Sequence, residues 1–110
     1  MRVNKILIVL GEPQSTFSEI LLKYFYSKEF SKNKKKIILI GSKILFEKQM
    51  KKLKFNFNLI TINNLKESKI SKINIMNVNY NNYKFFSKIS YASKKYISNC
   101  FELALNLIKK

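Results

Sequence analysis

Only two glycines punctuate this 110-residue chain, Gly11 and Gly41, and each stands where a β-branched apolar run gives way to a helical pattern. A chain so poor in glycine has few places where the backbone can turn without steric cost, so the position of each is informative. Before Gly11, residues 3–10 form an apolar, β-branched run of the kind found in strands buried on both faces of a parallel sheet. Glu12, Pro13, Gln14 and Ser15 make a turn, and Thr16 with Glu19 three residues later fits a capping box. Phe17, Ile20, Leu21, Tyr24 and Phe25 then recur at helical spacing and predict one apolar helix face. The grammar repeats: Lys34, Lys35 and Lys36 lead into a short strand over residues 37–40, Gly41 closes it and Ser42 is placed to cap a helix. Phe46, Met50 and Leu53 follow at i, i+4 and i+7. Two strand–glycine–helix units in succession predict an α/β fold with a mostly parallel sheet and flanking helices.

Beyond Leu53 the pattern predicts strands over residues 57–62 and 73–78, the latter alternating through Ile73, Ile75 and Val78. A polar loop, residues 63–72, joins them, and residues 79–88 follow neither period. A final helix begins near Ser90, with Tyr96, Ile97, Cys100, Phe101, Ala104, Leu105 and Ile108 along one stripe. Internal repeats and Gly/Ser-rich linkers are absent, so residues 1–110 read as a single domain. In an α/β layout a helix with so long an apolar stripe usually leads into another strand and packs on that sheet. The expectation is therefore an incomplete α/β domain that cannot assemble a complete active site alone.

The residue inventory excludes several chemistries. With no histidine and no aspartate, one cysteine and six scattered glutamates, the chain lacks an imidazole base, a zinc-ligand pattern and a paired acid. The glycine-rich dinucleotide and phosphate-loop motifs need more glycines than are present. Cys100 falls on an apolar stripe with nothing nearby to stabilise a thiolate, which predicts a packing role. A lone cysteine also permits no internal disulfide and favours a reducing, cytoplasmic setting. No run approaches the roughly 18 apolar residues of a membrane span, and the opening residues lack a signal-peptide core, so a membrane role is not expected.

Twenty-two basic residues against six acidic ones give a net charge of +16. Lysine, asparagine, isoleucine, phenylalanine and tyrosine, all encoded by A/T-rich codons, dominate the chain, while Arg2 is the only arginine. Nucleic-acid surfaces favour arginine for its planar fork. The charge is thus read as codon usage, and nucleic acid is disfavoured as a partner. The alternative is a small basic nucleic-acid-binding module that uses scattered lysines and the aromatic stretch of Tyr80, Tyr83, Phe85 and Phe86.

The first βα turn is the remaining candidate site, because α/β proteins place ligands at the carboxyl ends of parallel strands. A strand followed by Gly11, Glu12 and Pro13, with Ser18, Glu19 and Ile20 opening a helix, resembles the start of the 4-hydroxythreonine-4-phosphate dehydrogenase family of pyridoxine biosynthesis. That family typically reads Gly-Asp/Glu-Pro-Ala-Gly-Ile-Gly-Pro-Glu here. Gly11, Glu12, Pro13 and Glu19 match directly, whereas residues 14–18 depart from it and lose both loop glycines. The stretch from Ser87 to Leu105 resembles a later family segment.

The resemblance implies a fold like the N-terminal part of the isocitrate and isopropylmalate dehydrogenases. It also implies an NAD-dependent oxidation of a phosphorylated hydroxy amino acid assisted by a divalent metal, followed by decarboxylation, in a homodimer. Gly11, Glu12 and Pro13 are implied to lie near the cofactor cleft. Catalytic and metal-binding residues are implied to come from elsewhere in the complete enzyme.

Overall fold

The computed structural model describes residues 5–10, 17–32, 34–79 and 91–109, and the side chains of all of these except 91–93. Among the described residues four strands form one all-parallel sheet: β1 (Lys5–Val9), β2 (Lys36–Gly41), β3 (Leu59–Thr61) and β4 (Ile73–Asn77), in the order β1-β2-β4-β3. Their connections carry α1 (Phe17–Phe25), α2 (Lys28–Lys32) and α3 (Lys43–Lys52), and α4 (Tyr91–Ile108) follows β4. The two strand–glycine–helix units lie side by side as expected, with Ile6 opposite Ile37 and Val9 opposite Ile40.

Period-2 alternation divides the sheet's side chains between two layers. Ile37 and Leu39 of β2, Ile73 and Ile75 of β4, and Ile8 of β1 face α1–α3, packing with Leu21, Leu22, Phe25, Phe46 and Met50. On the other face, Ile40 with Leu7 and Val9 meets Tyr96, Cys100 and Ala104 of α4. Ile38, Ile62 and Met76 meet Leu103 and Leu107 there. Central strand β2 is buried from Ile37 to Gly41, which accounts for its unbroken apolar run.

Several elements differ from the sequence expectation. In α1 the buried residues are Ser18, Leu21, Leu22 and Phe25, while Phe17 and Ile20 face outward, Ile20 at 62% exposure. The helix turns this way because the Ser18 hydroxyl donates to Gln49 Oε1 of α3 at 2.9 Å, a buried polar pair that a hydrophobic pattern cannot register. The short α2 was not expected at all. The third strand is shorter than residues 57–62, because Phe57 joins Phe25 and Phe55 in an aromatic cluster instead.

The loop at residues 63–72 contains a 3-10 turn, Leu65–Glu67, capped by the Asn64 side chain. It is held to the sheet by Asn74, which is fully buried. The Asn74 amide donates to the carbonyls of Ile37, Lys69 and Lys72, and its oxygen accepts from Lys69 N–H. Residues 80–90, including the aromatic stretch from Tyr80 to Phe86, lie outside the described residues.

The stripe expected on α4 divides in two. Tyr96, Cys100 and Ala104 are buried on the sheet, but Phe101, Leu105 and Ile108 are 51%, 53% and 67% exposed. Those three lie about 80–140° around the helix from Cys100, at roughly 100° per residue, and so turn off the sheet-facing line.

Candidate functional site

Parallel strands put all their carboxyl ends on one edge of the sheet, where α/β folds gather ligand-binding loops. Here that edge is formed by Leu10, Gly41, Thr61 and Asn77. Gly11, Glu12 and Pro13, the residues expected near a cofactor, lie outside the described residues, as does Thr16. Leu10 immediately precedes them and fixes where the turn begins, because its N–H donates to Ile40 O at 3.0 Å. Leu10 is therefore held beside the junction of β2 and α3.

That junction is built tightly. Gly41 ends β2 rather than lying in a loop, and a Cβ there would stand 2.6 Å from Leu10 Cδ1 and 2.7 Å from Tyr96 Oη. The reason for glycine is thus the close approach of two side chains, not the conformational freedom expected from sequence. Ser42 caps α3 as expected, its hydroxyl accepting from Leu45 N–H at 3.1 Å. Tyr96, from α4, accepts from Ser42 N–H at 2.7 Å. Asn77, at the end of β4, accepts from Lys43 N–H at 2.9 Å and donates to Asn79 Oδ1. Val78 N–H closes the set on Gly41 O.

These bonds decide what the junction can do. A helix amino terminus attracts anions through unsatisfied N–H groups. At α3 the N–H groups of Ser42, Lys43 and Leu45 are already taken by Tyr96, Asn77 and Ser42 Oγ. The start of α3 is thus tied to α4 and β4 as well as capped by Ser42. Tyr96 and Asn77 escaped the sequence reading. Tyr96 looked like one more member of an apolar stripe, and its hydroxyl partner is 54 residues away.

The titratable groups agree with a scaffolding role. Burial pushes the Cys100 thiol up to about 11, opposed by a hydrogen bond from Tyr96, so it is neutral and unreactive at physiological pH. Glu19 pairs with Lys23 at 3.5 Å on the surface of α1. Glu67 accepts from Asn63 N–H and Asn64 Nδ2 and holds the 3-10 turn. Among the described residues no three His, Cys, Asp or Glu side chains come together in a way that could hold a metal ion. Open clefts lie elsewhere among the described residues. One of about 480 Å³ lies against Met50, Phe55 and Phe57, and one of about 410 Å³ lies between Leu65 and Leu107.

No protein-family model matches this sequence, and no curated protein does. Solved structures do. A 4-hydroxythreonine-4-phosphate dehydrogenase from Burkholderia phymatum superposes with a TM-score of 0.83 at 13% identity, over 99% of this chain and 34% of that one. A putative 4-hydroxythreonine-4-phosphate dehydrogenase from Salmonella typhimurium gives 0.76 at 17% identity, over 96% of this chain and 34% of its own. The enzyme of the same name from Klebsiella pneumoniae gives 0.74 at 13% identity, over 96% and 33%. The chain spans about a third of the length of these proteins. Among the described residues its architecture, an all-parallel four-stranded sheet with flanking helices, is the fold found in the 4-hydroxythreonine-4-phosphate dehydrogenases.

Proposed function

We propose that this chain is the N-terminal, cofactor-side part of an NAD-dependent 4-hydroxythreonine-4-phosphate dehydrogenase serving pyridoxal phosphate biosynthesis in the cytoplasm. The observation that carries the reading is the superposition on the Burkholderia phymatum enzyme across nearly the whole chain. The Gly11-Glu12-Pro13 sequence after β1 supports it from the residue side. In this reading residues 1–110 are one incomplete domain of a homodimeric enzyme. The described residues do not fit a divalent metal, because they bring no ligand set together. At the start of α3 the N–H groups of Ser42, Lys43 and Leu45 are already occupied and offer an anionic cofactor little.

The chain's own contribution is therefore positional. Tyr96 and Asn77 hold the β2–α3 junction, and Leu10, the residue before Gly11, is bonded to Ile40 next to it. The phosphorylated hydroxy amino acid substrate and both cofactors would be bound largely by the remainder of the enzyme.

A chimera tests this directly. This chain replaces the matching third of the Burkholderia phymatum enzyme, and NADH formation is followed with 4-phosphohydroxythreonine and a divalent metal. The expected result is measurable turnover from the chimera and none from this chain alone. A chimera that folds as a dimer yet stays inactive would count against the proposal, as would turnover from the isolated chain.

A further inference from the structure

The winding of the sheet fixes where the polypeptide goes after α4. A connection between parallel strands almost always takes the right-handed path, so connections over one face step in one direction and those over the other face step back. The described residues obey this throughout. β1 reaches β2 through α1 and α2, and β2 reaches β3 through α3, both over the face of Ile37 and Ile75 and both stepping away from β1. β3 returns to β4 through the Leu65 turn, which packs with Ile38 and Met76 on the opposite face, and this step is toward β1.

α4 lies on that opposite face, against Ile40, Leu7 and Val9. Its Tyr96 bonds Ser42 at the carboxyl edge, and Leu103 and Leu107 pack with Ile38 near the start of β2, so the helix runs back along the strands. A parallel strand reached from α4 by the same hand therefore lies toward β1. β2 and β4 are already paired on both sides, which leaves the outer side of β1.

β1 itself is built like an interior strand. Ile6, Leu7, Ile8 and Val9 match the apolar run of Ile37–Ile40 in central β2, yet they are half-buried where Ile37–Ile40 are buried. Strands that stay at an edge are ordinarily blunted by a charge, a proline or a bulge, and residues 6–9 hold neither charge nor proline. The Leu10 N–H points inward to Ile40, so by alternation the N–H and C=O groups of Leu7 and Val9 point outward. We propose that the segment directly following α4 in the complete protein forms a further parallel strand on the outer side of β1, bonded to Leu7 and Val9. β1 then becomes an interior strand. This rests on the reading of the chain as the first third of a longer dehydrogenase, and it adds which edge of the sheet is extended and in which direction.

The chimera described above tests this by amide hydrogen exchange, read alongside NADH formation. Ile8, whose N–H faces β2, is the internal standard. In the folded chimera the Leu7 and Val9 amides are expected to exchange within about tenfold of Ile8, because all three are then bonded inside the sheet. Faster exchange than that at Leu7 and Val9 would overturn the proposal, as would protection gained instead at Leu59 and Thr61 on the outer side of β3. An active chimera with fast exchange at Leu7 and Val9 overturns this inference alone. A folded but inactive chimera with slow exchange there upholds it and counts only against the dehydrogenase reading. Should the chimera not fold, a peptide copying the residues directly after the α4 counterpart in the Burkholderia phymatum enzyme is added to this chain. Exchange at Leu7 and Val9 slowed by about tenfold or more then supports the proposal, and unchanged exchange overturns it.

Discussion

Adding one methyl group at Gly41 tests how the β2–α3 junction is built. Gly41 is not in the left-handed region, and at such positions Gly→Ala ordinarily stabilises by about 0.4–1 kcal/mol through the unfolded chain. Here the new Cβ meets Leu10 Cδ1 at 2.6 Å, Tyr96 Oη at 2.7 Å and Leu10 Cβ at 2.9 Å, against ordinary contacts of 3.4 Å or more. Leu10 Cδ1 would have to retreat by 0.8 Å (3.4 less 2.6) and Tyr96 Oη by 0.7 Å (3.4 less 2.7). The first is the end of a flexible side chain. The second is the tip of a rigid ring bonded to Ser42 N–H at 2.7 Å, so that bond breaks as the ring withdraws.

Overpacking costs about 1–3 kcal/mol and an orphaned buried N–H a further 1–3 kcal/mol. Gly41→Ala should therefore destabilise by about 3 kcal/mol, lowering Tm by roughly 10–20 °C for a domain of this size. Tyr96→Phe alone should cost about 1–2 kcal/mol, because it orphans the same N–H. Since both changes remove one interaction, the double variant should be less unstable than the sum by about 1 kcal/mol or more. Urea unfolding followed by circular dichroism measures all three. A stabilised Gly41→Ala protein, or strict additivity in the double variant, would refute the close-packing explanation.

Asn74→Leu should cost about 3 kcal/mol in the same urea assay, since it strips buried partners from Lys69 N–H and from the carbonyl of Ile37. A change below about 1 kcal/mol would mean that water replaces the amide. The Cys100 thiol should resist a disulfide reagent at pH 8 in the native protein and react fully in urea. Its folded pKa is raised from 9.0 to about 11, so the unfolded state loses the proton first. Stability relative to Cys100→Ala should therefore fall as pH rises through that window, and a rise there would contradict the burial argument. If codon usage explains the net charge, single-stranded RNA binding should vanish by about 150 mM salt, and affinity that persists there and is lost in Tyr83→Ala would favour the nucleic-acid alternative.

Near-neighbour information was legible in the sequence. The β-branched runs and the Ser42 cap are set by sterics and by hydrogen bonds within a few residues. They led to two adjacent parallel βα units and to a buried, inert Cys100. The resemblance through Gly11, Glu12 and Pro13 led to the same fold as the superposed structures.

Tertiary structure decided the rest, because the deciding partners are far apart along the chain. The insertion of β4 between β2 and β3 depends on Asn74 bonding Ile37 O across 37 residues. The facing of α1 depends on Ser18 meeting Gln49. Whether an apolar residue on α4 lies in the core, as Ala104 does, or on a bare flank, as Leu105 does, depends on where the sheet ends, and hydrophobic period carries no record of that edge.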